Sequence, residues 1–219
     1  MTSSAHEADP ERALILTYAA PARRDALAAL LALDDALAKL LRTTREPAIG
    51  QIRLAWWRER LEALDAGPPP AEPVLLGLAA SGVPGASLVP VVDGWEVLIE
   101  EQLDAGALAR FGEGRGALFV AAGKALGAVG DPLAPAGQGW ALADLARHLG
   151  DDTEAAEARA MAAPLLQAAT AARWSREGRA LGAMAHLARR DLALAPGEGA
   201  PVGSPLRVAR LAWHRLTGC

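Results

Sequence analysis

What most constrains this chain is where its prolines stand. Pro10, Pro21, Pro47, Pro73 and Pro205 each precede a run of helix-forming residues. They sit at the first turn, the one place in a helix where a missing N–H and a fixed φ cost nothing. Pro10 lies between Asp9 and Glu11, an N-cap and an acid at the positive end of the helix dipole. Ser204 stands before Pro205 as the corresponding cap of the last run. Strand formers are scarce and alanine, leucine and arginine abound, so the pattern predicts an all-α fold. Helices are expected over 10–18, 21–41, 45–64, a short one from Pro73, then 88–104, 107–126, 136–149, 153–174, 179–194 and 205–216. Thr153 is expected to cap its helix, and Pro164 falls inside it as a kink. Gly112, Gly114, Gly116 and Gly123 each cost about 1 kcal/mol against alanine in a helix, so they predict close helix contact or a local break. Residues 1–8 read as disordered, 67–70 as a stiff connector, and 127–135 and 196–203 as loops. No fixed-period repeat and no clear linker appears, which predicts one domain over 1–219.

The stretch 45–64, REPAIGQIRLAWWRERLEAL, runs from Pro47 without a break until Gly67-Pro68. Ile49, Ile52, Trp56, Leu61 and Leu64 read as its apolar stripe, with Arg53, Arg58, Glu59, Arg60 and Glu62 beside or opposite it. Trp56 and Trp57 point about 100° apart on a helix, so at least one is expected in the core.

With 219 residues, 52% of them hydrophobic, the chain can bury a substantial core. A net charge of −4 argues against a general nucleic-acid binder. The single cysteine, Cys219, excludes an intrachain disulfide and a cysteine metal cluster. No apolar run reaches the roughly 18–20 residues that span a bilayer, so no transmembrane segment is predicted. The first residues, MTSSAHEADPER, lack a basic segment followed by an apolar one, which predicts a cytoplasmic protein, with peripheral contact to the inner membrane open.

Arg45-Glu46-Pro47 followed by Ile52-Arg53-Leu54 and Trp56-Trp57-Arg58 resembles the segment after the first aspartate-rich helix of the squalene/phytoene synthase family. It is most similar to the small bacterial branch related to that family's mitochondrial complex I assembly factor. Ala20-Pro21-Ala22-Arg23-Arg24, Leu31-Ala32-Leu33, Leu187-Ala188-Arg189-Arg190-Asp191 and Ser204-Pro205-Leu206-Arg207 fit in the family's order. The resemblance implies a helical bundle like the class I isoprenoid (terpenoid) synthase fold, with a central apolar cavity for a prenyl or lipid chain.

Active members of that family hold diphosphate through magnesium ions on two facing aspartate-rich helices, because a departing diphosphate needs its charge neutralised. The first motif here shows only Asp34-Asp35. Read as D-D-x-x-D, its third position is Ala38. Registered on Leu31-Ala32-Leu33, the acidic positions fall on Ala38, Lys39 and Arg42. Asp35 and Lys39, at i and i+4, also read as a plain surface ion pair. The second motif, 142–152, puts Asp144 in the asparagine position and His148 in the first aspartate position, and keeps Arg147 and Asp152. Arg24, Asp34, Asp35 and Arg147 are thereby candidate substrate-binding residues, and Asp144, His148 and Asp152 candidate metal ligands. Arg23-Arg24 reads equally as a solvated basic turn. His6, His186 and His214 have no partner at metal spacing and read as surface or satisfied histidines.

With both motifs degenerate, the resemblance implies a non-catalytic binding or assembly factor without catalytic residues or cofactor, acting with a protein partner of the respiratory chain in complex I biogenesis. The alternative is an active, magnesium-dependent head-to-head prenyl diphosphate transferase. A third reading is a lipid-binding accessory protein of isoprenoid metabolism.

Overall fold

The computed structural model describes residues 10–100, 102–194, 198 and 202–219. The expectations for residues 1–8, for the Asp9 cap, for His6 and for most of the 196–203 loop lie outside the described residues. Among those described there are ten α-helices and no strand. They are α1 (Pro10–Leu16), α2 (Pro21–Thr43), α3 (Pro47–Glu62), α4 (Pro73–Ser81), α5 (Val89–Glu96), α6 (Ala105–Leu126), α7 (Leu133–Leu145), α8 (Asp152–Ala171), α9 (Arg179–Leu192) and α10 (Pro205–Thr217). Pro21, Pro47, Pro73 and Pro205 all open their helices, as the fixed proline φ favours.

Helix α6 is the axis of the bundle. It packs on α5 along one side and on α7 along the other, and α7 in turn carries α8 and α9. The glycines expected to signal contact or a break signal contact, since α6 runs unbroken. A Cβ on Gly114 would lie 2.5 Å from the Cα of Gly94 in α5, and one on Gly116 would lie 2.6 Å from the Gln138 nitrogen in α7. The two neighbouring backbones therefore touch α6 on either side of Arg115. Phe111, Leu118, Phe119 and Ala122 complete its buried face.

Four expectations are corrected. In α3 the buried stripe is Gly50, Leu54, Trp57 and Leu61, whereas Ile49, Ile52 and Trp56 face outward at 44%, 69% and 37% exposure. Bulk favours the face of Ile49, Ile52 and Trp56, but α5 and the Ile99 side chain approach the face where Gly50 leaves room. Trp57 is in the core, with Trp56 edge-on against it at 5.2 Å. The run over 88–104 is not one helix: it is a 3-10 turn at Gly85–Leu88, α5, and a second 3-10 turn at Val97–Ile99, after which Glu100 is extended. The helix expected over 136–149 is α7, begun at Leu133 and ended at Leu145. Asp151, not Thr153, caps α8, accepting from the Thr153 and Glu154 N–H groups at 2.9 Å each. Pro164 is retained inside α8.

Candidate functional site

The site is built around one arginine. Arg115 sits in the middle of α6, where its neighbours one turn away, Phe111 and Phe119, are fully buried. A guanidinium carried into such a place must be paired and hydrogen-bonded on every side that water has left. Its Nε and Nη2 donate to the two oxygens of Asp34 in α2 at 2.9 and 2.7 Å, and its Nη1 donates to Asp144 Oδ2 in α7 at 2.6 Å. The Asp34 carboxylate takes a further bond from the Trp95 indole of α5 at 2.9 Å. The guanidinium carbon lies 4.5 Å from the Trp95 ring centroid and 4.3 Å from that of Trp140, so two aromatic faces flank the cation. The Arg115 and Asp34 side chains are only 5% and 6% exposed, while Asp144 is 35% exposed at the edge of the clamp.

The electrostatics follow from that geometry. Burial opposes the charge on Arg115, but the two carboxylates outweigh it and hold the group protonated well above its ordinary range. Burial by itself would raise the Asp144 carboxyl. The Arg115 guanidinium more than offsets this and keeps it below the usual carboxylate range.

The clamp forms part of the wall of a cavity of about 590 Å³ between α1, α2, α6, α7, α9 and α10. Leu31, Leu41, Leu98, Leu103, Leu145, Leu149, Met184 and Leu187 give it an apolar lining. Its charged lining is balanced: Glu11, Asp34, Asp35, Asp144 and Asp191 stand against Arg12, Arg42, Arg115, Arg147 and Arg207. A second buried ion cluster forms another part of the wall. Arg207 of α10 bonds both oxygens of Glu11 at 2.7 Å each and also reaches Asp191 of α9. Burial would raise the Glu11 carboxyl, and Arg207 together with the Gly203 N–H brings it below its ordinary value.

The structure distributes the sequence candidates unevenly. Asp34, Asp35, Asp144, Arg147 and His148 line the cavity; Arg24 and Asp152 do not. Asp35 pairs with Arg12 of α1 at 2.8 Å rather than with Lys39, a correction to the helix-surface pair, because α1 brings a cation to that side of α2. Arg147 faces Asp191 at 3.5 Å. Arg24 donates to the Leu16 carbonyl and Arg23 to that of Leu126, so the basic turn ties the start of α2 to two other chain segments. His148 bonds the Asp144 carbonyl at 2.8 Å, with its ring 63% exposed. Asp152 does not stack on His148, since α7 has ended at Leu145 and Asp152 begins α8. Among the described residues no three His, Cys, Asp or Glu side chains gather as a metal site would need. His186 and His214 are buried, the first against Arg210 and the second bonding the Arg179 carbonyl at 3.2 Å.

Asp34 and Asp144, candidates for a magnesium cluster on the resemblance, both face the Arg115 guanidinium. Asp34 has both oxygens committed, and a metal ion beside Arg115 would meet a fixed like charge. These residues do not fit the metal group. Arg115 and its aromatic walls, Trp95 and Trp140, were missed by motif reading. The signal was present: Arg115 stands at i+4 from Phe111 and i−4 from Phe119, inside an apolar stripe where a lone charge implies a buried partner.

The squalene/phytoene synthase family model matches residues 5–117. No curated protein and no solved structure matches the chain.

Proposed function

The chain belongs to the squalene/phytoene synthase family, whose fold is the all-α isoprenoid synthase-like bundle, and from that premise we propose that it is a non-catalytic member that binds a prenyl or lipid chain. The observation that carries the reading is the Arg115 clamp. Ionising an allylic diphosphate requires concentrated positive charge that can move onto the leaving group, gathered on carboxylates that have oxygens to spare. Here the carboxylate charge is spent inside the protein on a cation that cannot leave, and the cavity lining is balanced overall. The volume lies within the range of sites that enclose small apolar ligands. The apolar wall supports chain binding, and the clamp supports binding without turnover.

On the resemblance of residues 45–64 to the branch of the complex I assembly factor, the process assigned to it is respiratory complex I biogenesis. It works from the cytoplasm, in peripheral contact with the inner membrane and with a respiratory-chain protein as partner. No cofactor is needed for that role.

The direct test is incubation with farnesyl and geranylgeranyl diphosphates and magnesium, followed by extraction and assay for squalene, phytoene and released pyrophosphate. The expected result is no turnover. Multiple turnovers abolished by a chelator would overturn the reading and establish the alternative, an active magnesium-dependent transferase. The assembly role is tested by disrupting the gene and measuring complex I content and rotenone-sensitive NADH oxidation in isolated membranes. Unchanged complex I content and activity would remove that assignment while leaving chain binding in place.

A further inference from the structure

Helix α10 is amphipathic the wrong way round. Its charged and polar residues Arg207 and His214 point into the protein with Leu211, at 3%, 0% and 0% exposure. Its large apolar residues Leu206, Trp213 and Leu216 point out, at 68%, 58% and 77% exposure. Ala209 and Ala212 are exposed with them. At about 100° per residue, Leu206, Ala209, Trp213 and Leu216 fall on one face, opposite the buried one. Placing a tryptophan and two leucines in water along three turns costs hydrophobic free energy that an ordinary surface helix avoids.

The borders of this face are cationic. Arg210 lies about 80° to one side of its centre and Arg215 about 140° to the other, beyond Ala212. Exposed Arg173 reaches the end of the same helix and donates to the Thr217 carbonyl, while Arg179 donates to the Arg215 carbonyl from the inner side, with its Nε buried. Arg210 rests on His186 and Arg215 over the Tyr18 ring at 5.1 Å, both uncharged groups. None of these four arginines forms an ion pair with a carboxylate within 4 Å among the described residues. Helix α10 carries no acidic residue, although the chain as a whole has a net charge of −4.

We propose that the outer face of α10 lies flat on an anionic phospholipid surface, with Leu206, Trp213 and Leu216 in the acyl boundary and the flanking arginines at the phosphates. The charge complementarity selects this occupant: a tryptophan-bearing apolar strip edged by unpaired guanidiniums matches the headgroup layer of an acidic membrane. Long arginine stems can lie along the strip while their heads stay at the phosphates. The helix has 13 residues, too short to span a bilayer, so it lies in the interface. The inference deepens the peripheral membrane placement proposed above and is independent of whether the cavity turns over substrate.

The test uses the full chain, purified, mixed with vesicles of phosphatidylcholine alone and of phosphatidylcholine with phosphatidylglycerol, read by co-sedimentation. The wild type is expected to sediment with the anionic vesicles, less at high salt, and far less with the neutral ones. L206S/W213S alters only exposed positions and should keep the wild-type melting temperature; it is expected to lose roughly tenfold or more in vesicle affinity. R215E should weaken binding to anionic vesicles only. Wild type that stays in the supernatant, or L206S/W213S that binds equally well, overturns the proposal. So does a solution dimer broken by L206S/W213S without vesicle binding, which would assign the face to a second copy of the chain. Failure here leaves the turnover assay untouched, so the two readings fall separately.

Discussion

Replacing Arg115 with methionine isolates what the clamp contributes. The substitution keeps an unbranched side chain in the space between Trp95 and Trp140 but removes the charge. Asp34 would then hold a buried carboxylate with the Trp95 indole as its remaining bonded partner. Breaking a buried ion pair from one side costs about 3–5 kcal/mol, because the surviving charge is uncompensated. Loss of the cation–aromatic contacts to Trp95, Trp140 and Phe111 adds roughly 1–2 kcal/mol, and sulfur–aromatic contacts of the new methionine return about 1 kcal/mol. The expected net loss for R115M is thus about 3–6 kcal/mol. D34N alone strands the cation with Asp144 and should cost about 2–4 kcal/mol. The double variant D34N/R115M carries no stranded charge at the buried end, so it should lose about 3 kcal/mol less than the sum of the singles. Urea titrations followed by tryptophan fluorescence and by far-ultraviolet circular dichroism read these numbers. With a slope of about 2–3 kcal/mol per molar, R115M should move the midpoint down by about 1–3 M. A shift under about 0.3 M for R115M, or a double variant equal to the sum of the singles, would refute the claim that Arg115 is the counter-ion of Asp34.

Further outcomes follow from the same structure. W57A should cost about 3–5 kcal/mol in the same titration and W56A about 1 kcal/mol or less, since only the first ring is buried; equal effects would misplace the face of α3. G116A puts a Cβ 2.6 Å from the Gln138 nitrogen. The separation it forces between α6 and α7 should outweigh the gain of about 1 kcal/mol in helix propensity, so the variant should melt lower. Calorimetric titration of magnesium with pyrophosphate should show no saturable heat at millimolar metal; a saturable signal lost in D144N would contradict the clamp's exclusion of metal. Burial, with the Arg210 charge, pushes His186 down to about 3, and burial with Arg210 and Arg179 pushes His214 down to about 4. The unfolded chain binds those protons first, so stability present above about pH 6.5 declines as the pH falls towards 4, by about 1–2 kcal/mol for His214 near pH 4.5 after allowance for solvent screening. Histidine ring NMR shifts that stay at the neutral values down to about pH 5 check the sign; rings titrating near pH 6.5 would place them in solvent.

Much of the helical layout is legible in the sequence. Proline acts through its own φ and its own missing N–H, so Pro21, Pro47, Pro73 and Pro205 mark helix starts wherever the chain goes next. The glycines of α6 announced close packing for the same local reason: a missing Cβ has a cost that something must offset. At the site, Asp34 and Asp144 were legible as candidates on the resemblance, and the lack of further carboxylates around them was visible from Ala38, Lys39 and His148. Asp152 was less legible, because whether it continued the turn of His148 depended on where α7 stopped.

What only the tertiary structure decided is which partner each side chain meets. Ile49, Ile52 and Trp56 outweigh Gly50 and Leu54 in bulk, yet α5 and Ile99 approach the glycine face, so the larger residues are left outside. Asp34 meets Arg115 across 81 positions of chain, and Glu11 meets Arg207 across 196. Helix α10 shows its apolar side to the outside because Arg207 and His214 find their partners inward, in Glu11, Asp191 and the Arg179 carbonyl. Backbone conformation is governed by steric terms within a few residues, so the sequence by itself determined most of the helices and the proline-marked starts of α2, α3, α4 and α10. Burial and charge pairing are governed by distances between segments remote along the chain, so the face each helix hides, and the cation that occupies the aspartate site, were decided only when the helices packed.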